Sequence, residues 1–260
     1  MKHILVLFSL VVLATACGKS SNAGDNKKVT TITREQIDNL LENQSFECAS
    51  LEGGRCPGGV ARVFILDPLT PSSSGLCTGF LTTTNRLLTN HHCLSTQDEC
   101  ENTYISVYNG DTFETAKCKN IIIARDDGKP LETKAEDFTV IELDHHIRSS
   151  DVFIPARSMT PVGASLSAWV IDHLDLFRGR ITQLSCFLNN RTPSMELSNC
   201  PAIAGNSGSP IVNSRGEVTG VLWGSTTGDN INEATSLARR RSLADFAYAT
   251  ELKYFRTYWR

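Results

Sequence analysis

The 260-residue chain has one long apolar run, Ile4 to Leu13, and no second one. A bundle of several membrane-spanning helices is not expected, because each such helix needs about 20 apolar residues. Neither charge sign is in excess: 25 Lys and Arg stand against 28 Asp and Glu, a formal net of −3. A nucleic-acid partner would demand a clustered basic footprint, so none is expected, and the triplet Arg239-Arg240-Arg241 reads as a solvated turn or helix start. No Cys-x-x-Cys pair occurs, and His91-His92-Cys93 is too compressed for one tetrahedral site. No metal or other cofactor is expected. No internal repeat stands out, and no helical pattern of 10–15 residues alternates with the strand-like runs, which speaks against a parallel βαβ sheet.

What is present begins with an export signal. Lys2 and His3 precede the apolar run, which is too short to span a bilayer stably. The run ends in Ala14-Thr15-Ala16-Cys17-Gly18, which resembles the lipobox of bacterial lipoproteins, although Ala14 stands where such boxes usually carry Leu. That resemblance implies a signal peptide over residues 1–16 and a lipid on Cys17 as the new N-terminus, a modification able to hold a soluble domain at the cell envelope. The alternative is an ordinary signal peptide cleaved near Ala16, giving a secreted protein. Cysteine counting favours the first: nine cysteines minus Cys17 leave eight, at 48, 56, 77, 93, 100, 118, 186 and 200. An even set in an exported chain reads as a disulfide framework.

The stretch 17–44 contains the anchor cysteine, a Gly/Ser/Asn/Lys-rich tether and a short amphipathic helix from Arg34 to about Asn43, opened by the capping box Thr33-Arg34-Glu35-Gln36. From Ser45 onward short β-like runs alternate with turn residues: 60–66, 79–82, 86–89, 104–108, 120–124, 138–143, 165–171, 179–187, 210–213, 218–223 and 234–238. Such spacing predicts an all-β barrel or sandwich. The tail from Ser242 to Tyr258 carries Ala, Leu, Phe and Tyr at helical spacing and predicts a C-terminal helix.

Chemistry concentrates around Gly205-Asn206-Ser207-Gly208-Ser209-Pro210. A serine hydroxyl needs a base, an anion to orient that base, and donors for an oxyanion. The flanking glycines let the backbone bend so that the amides of Gly205 and Ser207 can converge on one oxygen. All six histidines, at 3, 91, 92, 145, 146 and 173, precede Ser207. An α/β-hydrolase requires its histidine after the serine, and a subtilisin order requires the aspartate before the histidine, so the order His, Asp, Ser remains. Asp126, Asp127, Asp137 and Asp144 are the acids at hand.

Leu88-Thr89-Asn90-His91-His92-Cys93 and Gly205 to Pro210 resemble the Thr-Ala-Ala-His-Cys and Gly-Asp-Ser-Gly-Gly-Pro segments of trypsin-like serine proteases. The Gly-Asn-Ser-Gly-Ser-Pro variant resembles the bacterial glutamyl endopeptidase branch more nearly still. The resemblance covers about Val60 to Tyr254 and implies two packed antiparallel β-barrels, residues 45–155 and 156–260. It assigns the base to His92, directly before the cysteine, and the anion to Asp137, which opens an Asp-Phe-Thr-Val-Ile-Glu-Leu strand like the family's Asp-x-Ala-Leu-Leu-x-Leu. It implies a serine endopeptidase that attacks its peptide or protein substrate through Ser207 and binds the substrate backbone at Trp223-Gly224. The enzyme is expected to act as a monomer. It also implies the disulfide Cys77–Cys93; locality suggests Cys48–Cys56, Cys100–Cys118 and Cys186–Cys200, out of about 105 possible pairings.

The departures also inform. Asn206 replaces the acid that pairs with a freed N-terminus in trypsin-like zymogens, and no Ile-Val-Gly-Gly start is visible. The enzyme is therefore expected either to fold active or to be trimmed within Ser45 to Arg62. Pro201 stands where trypsin has its specificity aspartate, and Leu222 precedes Trp223-Gly224 where glutamyl endopeptidases have histidine. An apolar or small side-chain preference follows, with Asp229 the remaining candidate acid. The rival from another class is a catalytically silent, protease-like binding module on the cell envelope.

Overall fold

The computed structural model describes residues 39, 44–49, 55–67, 74–129, 134–148, 151–174, 178–227 and 244–259. The signal segment, Cys17, the tether, Arg239 to Arg241, Asp229 and the run 234–238 lie outside the described residues, as does the helix expected over 34–43 apart from Asn39, which is helical.

Among the described residues there are thirteen strands, twelve of which form two closed barrels. The first contains β2 (Val60–Ile65), β3 (Gly75–Thr83), β4 (Arg86–Thr89), β5 (Thr103–Tyr108), β6 (Phe113–Asp126) and β7 (Asp137–Leu143), ordered β2-β3-β4-β7-β6-β5. The second contains β8 (Ser165–His173), β9 (Arg178–Asn190), β10 (Met195–Ser198), β11 (Pro210–Val212), β12 (Val218–Thr227) and β13 (Ala244–Glu251), with β8 pairing both β9 and β11 to close the ring. All pairings within the barrels are antiparallel. β1 (Ser45–Ala49) adds to β9 in parallel, so a segment preceding the first barrel is fastened to the second.

Side chains on a strand alternate between faces, and here both faces are used. In β2, Ala61 and Val63 fill the first barrel while Val60 points to a second cluster. β7 does the same with Ile141 and Leu143 inward and Phe138 and Val140 outward. From the second barrel Ile171, Ile181, Val218 and Val221 meet these outward residues, so one apolar layer joins the barrels. Burying each such side chain contributes roughly 1.5–3 kcal/mol. The two halves of any site between the barrels are thus held in fixed relation.

The C-terminal helix expected over 242–258 is not formed. Residues 244–251 are β13, seated between β10 and β12, and only two 3-10 turns follow, at 252–254 and 256–258. The small alternating residues Ala247 and Ala249 point into the barrel, and closing the barrel outweighs helical preference, because without β13 both β10 and β12 would expose unpaired backbone. Leu252, Phe255 and Trp259 then plug the layer between the barrels, with Trp259 Nε1 donating to Phe153 O at 3.1 Å. Also absent from the sequence expectations are β1, β10 and the five-residue helix α1 (Gln97–Glu101), all too short to show a period.

The four expected disulfides are all present: Cys48–Cys56, Cys77–Cys93, Cys100–Cys118 and Cys186–Cys200. They suit an extracellular or exported protein, where oxidising conditions let such bonds persist.

Candidate active site

His92 lies in the turn that follows β4, and Asp137 is the first residue of β7. β4 and β7 are paired neighbours, with Thr89 opposite Thr139, which brings the two together. Asp137 is 1% exposed. Its Oδ2 lies 2.7 Å from His92 Nδ1 and its Oδ1 accepts from His92 N at 3.1 Å, so one carboxylate grips both ring and backbone. Asn90 Nδ2 donates to Asp137 O at 2.7 Å, and Asp137 N donates to Thr250 Oγ1 of the second barrel at 3.0 Å. His91 turns elsewhere, its Nδ1 3.7 Å from Asp126 Oδ2. Because Nδ1 of His92 is held by an acceptor, it carries the proton and Nε2 is the basic nitrogen.

Lys134 adds a positive charge behind this pair, with Nζ 2.8 Å from Asp126 Oδ1 and 3.8 Å from Asp137 Oδ2. Burial works to raise the Asp126 carboxyl, but hydrogen bonds from Lys134 and the Gly128 amide outweigh it and leave Asp126 below the ordinary carboxylate range.

The loop bearing Ser207 comes from the second barrel, between β10 and β11, and is stitched onto the first. Thr78 N of β3 donates to Ser207 O at 2.8 Å, and Thr78 O accepts from Thr89 Oγ1 of β4 at 2.8 Å. Thr78 follows Cys77, whose disulfide partner Cys93 adjoins His92. These links tie the Ser207 loop to β3, which the Cys77–Cys93 disulfide joins to the turn that carries His92. Ser207 Oγ donates to Trp223 O at 3.4 Å, and a hydroxyl so placed can turn to a neighbouring base when the reacting groups assemble. Gly205 and Gly208 sit at φ +91° and +89°, a region L residues rarely adopt. Among the described residues neither the Gly205 nor the Ser207 amide has a hydrogen-bond acceptor within the fold. Cys77, His92 and Cys93 lie close enough to suggest a metal cluster, but both sulfurs are consumed in the disulfide.

The trypsin-like peptidase domain family matches residues 77–221, more than half of the chain. The chain belongs to that family. No match was found among curated proteins. Among solved structures the peptidase is similar to the active form of the Rv3671c protease of M. tuberculosis (15% identity, 92% of each chain covered, TM-score 0.52). It is also similar to a Glu endopeptidase in complex with MPD (15% identity, 77% and 89% covered, TM-score 0.54). A third similar structure is an inactivated protease paralogue of the scabies mite (15% identity, 79% and 94% covered, TM-score 0.54). At such identity the likeness is one of fold, and the fold accommodates active and inactivated members alike.

Trp223 stacks on Tyr248 of β13 with ring centroids 5.6 Å apart. On its other side, among the described residues, the backbone of β12 is bonded to the β11 arm no further than Leu222, and Trp223 O accepts from Ser207 Oγ. Pro201 is half-buried and Leu222 buried, and neither brings a charge to the peptidase site.

Sequence reasoning missed two residues. His173, at the end of β8, points Nε2 at Gly205 O at 3.2 Å, and Thr78 Oγ1 donates to the same oxygen at 2.9 Å. Neither belongs to a motif, and only the barrel packing brings them to the loop. The His173 ring is half-buried, yet its Nδ1 is sealed from solvent. Burial, then the nearby Arg62 cation, push its pKa down to about 3. The unfolded chain therefore binds a proton that the folded one refuses, so this residue's stabilising effect is complete above about pH 6.5 and is lost as pH falls toward 3. We expect the denaturant midpoint to fall through that window, and to fall less in His173→Gln. The half-covered ring keeps the slope below the full ~1.4 kcal/mol per pH unit. Parallel midpoint curves for the two proteins would refute the assignment.

Proposed function

We propose that the chain is an exported serine endopeptidase with His92, Asp137 and Ser207 as its catalytic triad. The observation that carries this reading is the two-point grip of Asp137 on His92, 2.7 Å at Nδ1 and 3.1 Å at the amide, next to a serine whose flanking amides are unengaged. A grip on Nδ1 fixes the tautomer with Nε2 basic, the arrangement a serine nucleophile requires. In the reaction Ser207 Oγ attacks the peptide carbonyl while His92 Nε2 takes its proton. The Gly205 and Ser207 amides receive the negative oxygen. His92 then passes the proton to the leaving amine, and water repeats the sequence on the acyl-enzyme. Asp137 holds and orients the imidazolium. The substrate adds as a strand along Trp223 and Gly224. With Pro201 and Leu222 where charge readers stand in relatives, the preferred side chain is apolar or small. The peptidase works as a monomer without a cofactor, anchored to the envelope through a lipid on Cys17, or secreted if cleavage falls at Ala16.

A biotinylated fluorophosphonate tests this. Only an activated serine reacts, so we expect one stoichiometric adduct on the peptide containing Ser207, and none in Ser207→Ala or His92→Ala. A folded wild-type chain that takes no label would instead favour the silent binding module, in keeping with a fold that also serves an inactivated paralogue.

A further inference from the structure

The two side chains that hold the Gly205 carbonyl have no part in proton transfer, yet they act on the residue whose amide receives the oxyanion in the proposed mechanism. We propose that His173, together with Thr78, is a positioning residue for the oxyanion site: the pair fixes the Gly205 carbonyl so that the Gly205 and Ser207 amides keep facing one point. This rests on the serine-peptidase reading of the same site.

Gly205 has no side chain and sits at φ +91°, so its backbone is intrinsically deformable. A peptide that swung there would withdraw its N–H from the oxyanion. The peptide after Gly205 is tied at both ends: its oxygen accepts from His173 Nε2 at 3.2 Å and Thr78 Oγ1 at 2.9 Å, and its Asn206 N–H donates to Ile203 O at 3.0 Å. The freedom left is rotation at Gly205 itself. There the His173 ring lies so close that an added Cβ would come within 2.6 Å of it, which leaves little space to swing.

Supporting bonds fix the clamp. Thr78 Oγ1 accepts from Ile171 N at 3.4 Å, so a run of donors from β8 through β3 ends on Gly205. Asn206, 1% exposed, accepts from Ile203 N at 3.0 Å and donates to Ile171 O at 3.0 Å and Asp172 Oδ1 at 3.5 Å; Asp172 Oδ2 in turn accepts from Thr182 Oγ1 at 2.9 Å. This is the position where trypsin-like zymogens hold an acid for a newly freed N-terminus. Here side chains of β3, β8 and β9 immobilise the loop. The carbonyl can only accept, so His173 Nε2 must carry the ring proton. Arg62, buried with its guanidinium 5.7 Å from the Phe46 ring centroid, opposes a second proton on the sealed Nδ1.

The test uses the whole protein, a peptide substrate and a matching peptide aldehyde, which forms a tetrahedral adduct and so reads the oxyanion site. His173→Phe keeps a ring but cannot donate; His173→Gln places an amide nitrogen near the position of Nε2. We expect His173→Phe to lower kcat about 10- to 100-fold with KM within about twofold, and to raise the aldehyde Ki by the same factor. His173→Gln should recover kcat to within about threefold of wild type. Thr78→Val, nearly isosteric, should move kcat and Ki in the same direction and serves if His173→Phe does not fold. Wild-type kcat in folded His173→Phe, or equal losses in the Phe and Gln variants, would overturn the clamp while leaving the peptidase reading intact. A wild-type protein inert to both substrate and fluorophosphonate would overturn that reading itself.

Discussion

Replacing His92 with alanine is expected to lower kcat by on the order of 10⁶-fold, and Ser207→Ala by a similar factor, because each removes the whole proton-transfer unit rather than a share of it. The His92→Ala, Ser207→Ala double variant should be no slower than either single one. That equality separates a triad from independent contributors, whose losses would multiply. Asp137→Asn keeps the shape but can present an amide N–H to His92 Nδ1 and favour the wrong tautomer, so a loss of about 10⁴-fold is expected. Steady-state hydrolysis of a peptide, with fluorophosphonate labelling to count competent sites, measures all four. Multiplicative losses, or an active Ser207→Ala, would refute the assignment.

Gly208→Ala is expected to prevent stable folding. Gly208 sits at φ +89°, and a methyl group there would lie 1.9 Å from Thr78 O and 2.5 Å from Thr89 Oγ1. Thr78 O is backbone in the middle of β3, already bonded to Thr89, and cannot retreat without parting β3 from β4. Left-handed backbone alone costs a side-chain-bearing residue about 1–3 kcal/mol, and the clash brings the total past about 4 kcal/mol, a large share of a typical domain's stability. Gly216 is the control. Its φ is +75° but nothing lies within 4 Å of an added Cβ, so Gly216→Ala should cost only the backbone amount. Urea midpoints for the two variants decide the matter: equal shifts would mean that the Ser207 loop is not wedged against the first barrel.

The same junction shows what was legible beforehand. Ser207 could be singled out from the glycines around it, whereas His92 and Asp137 were named through the likeness of the segment before Cys93 and of the β-run after the acid to trypsin-like proteases. The disulfides were accessible for a related reason, since all four join cysteines that are neighbours in the cysteine order. The tail from Ser242 to Tyr258 was misread because its alanines satisfy a helical period and a strand period equally, and only the gap between β10 and β12 selects the strand. His173 and Thr78 have no such local signature. One stands at the end of β8 and the other within β3, 95 positions apart in the chain, and their convergence on Gly205 O is a product of barrel packing.

By itself the sequence determined the all-β class, an even set of cysteines suited to disulfides and the chemical types needed for nucleophilic catalysis, because turn residues, alternation and motif spacing act over a few residues at a time. Tertiary structure alone decided that β13 closes the second barrel and that the Ser207 loop is pinned by side chains from β3 and β8. Those outcomes depend on which surfaces meet once two barrels share an apolar layer, and contacts between distant segments leave no periodic trace in the chain.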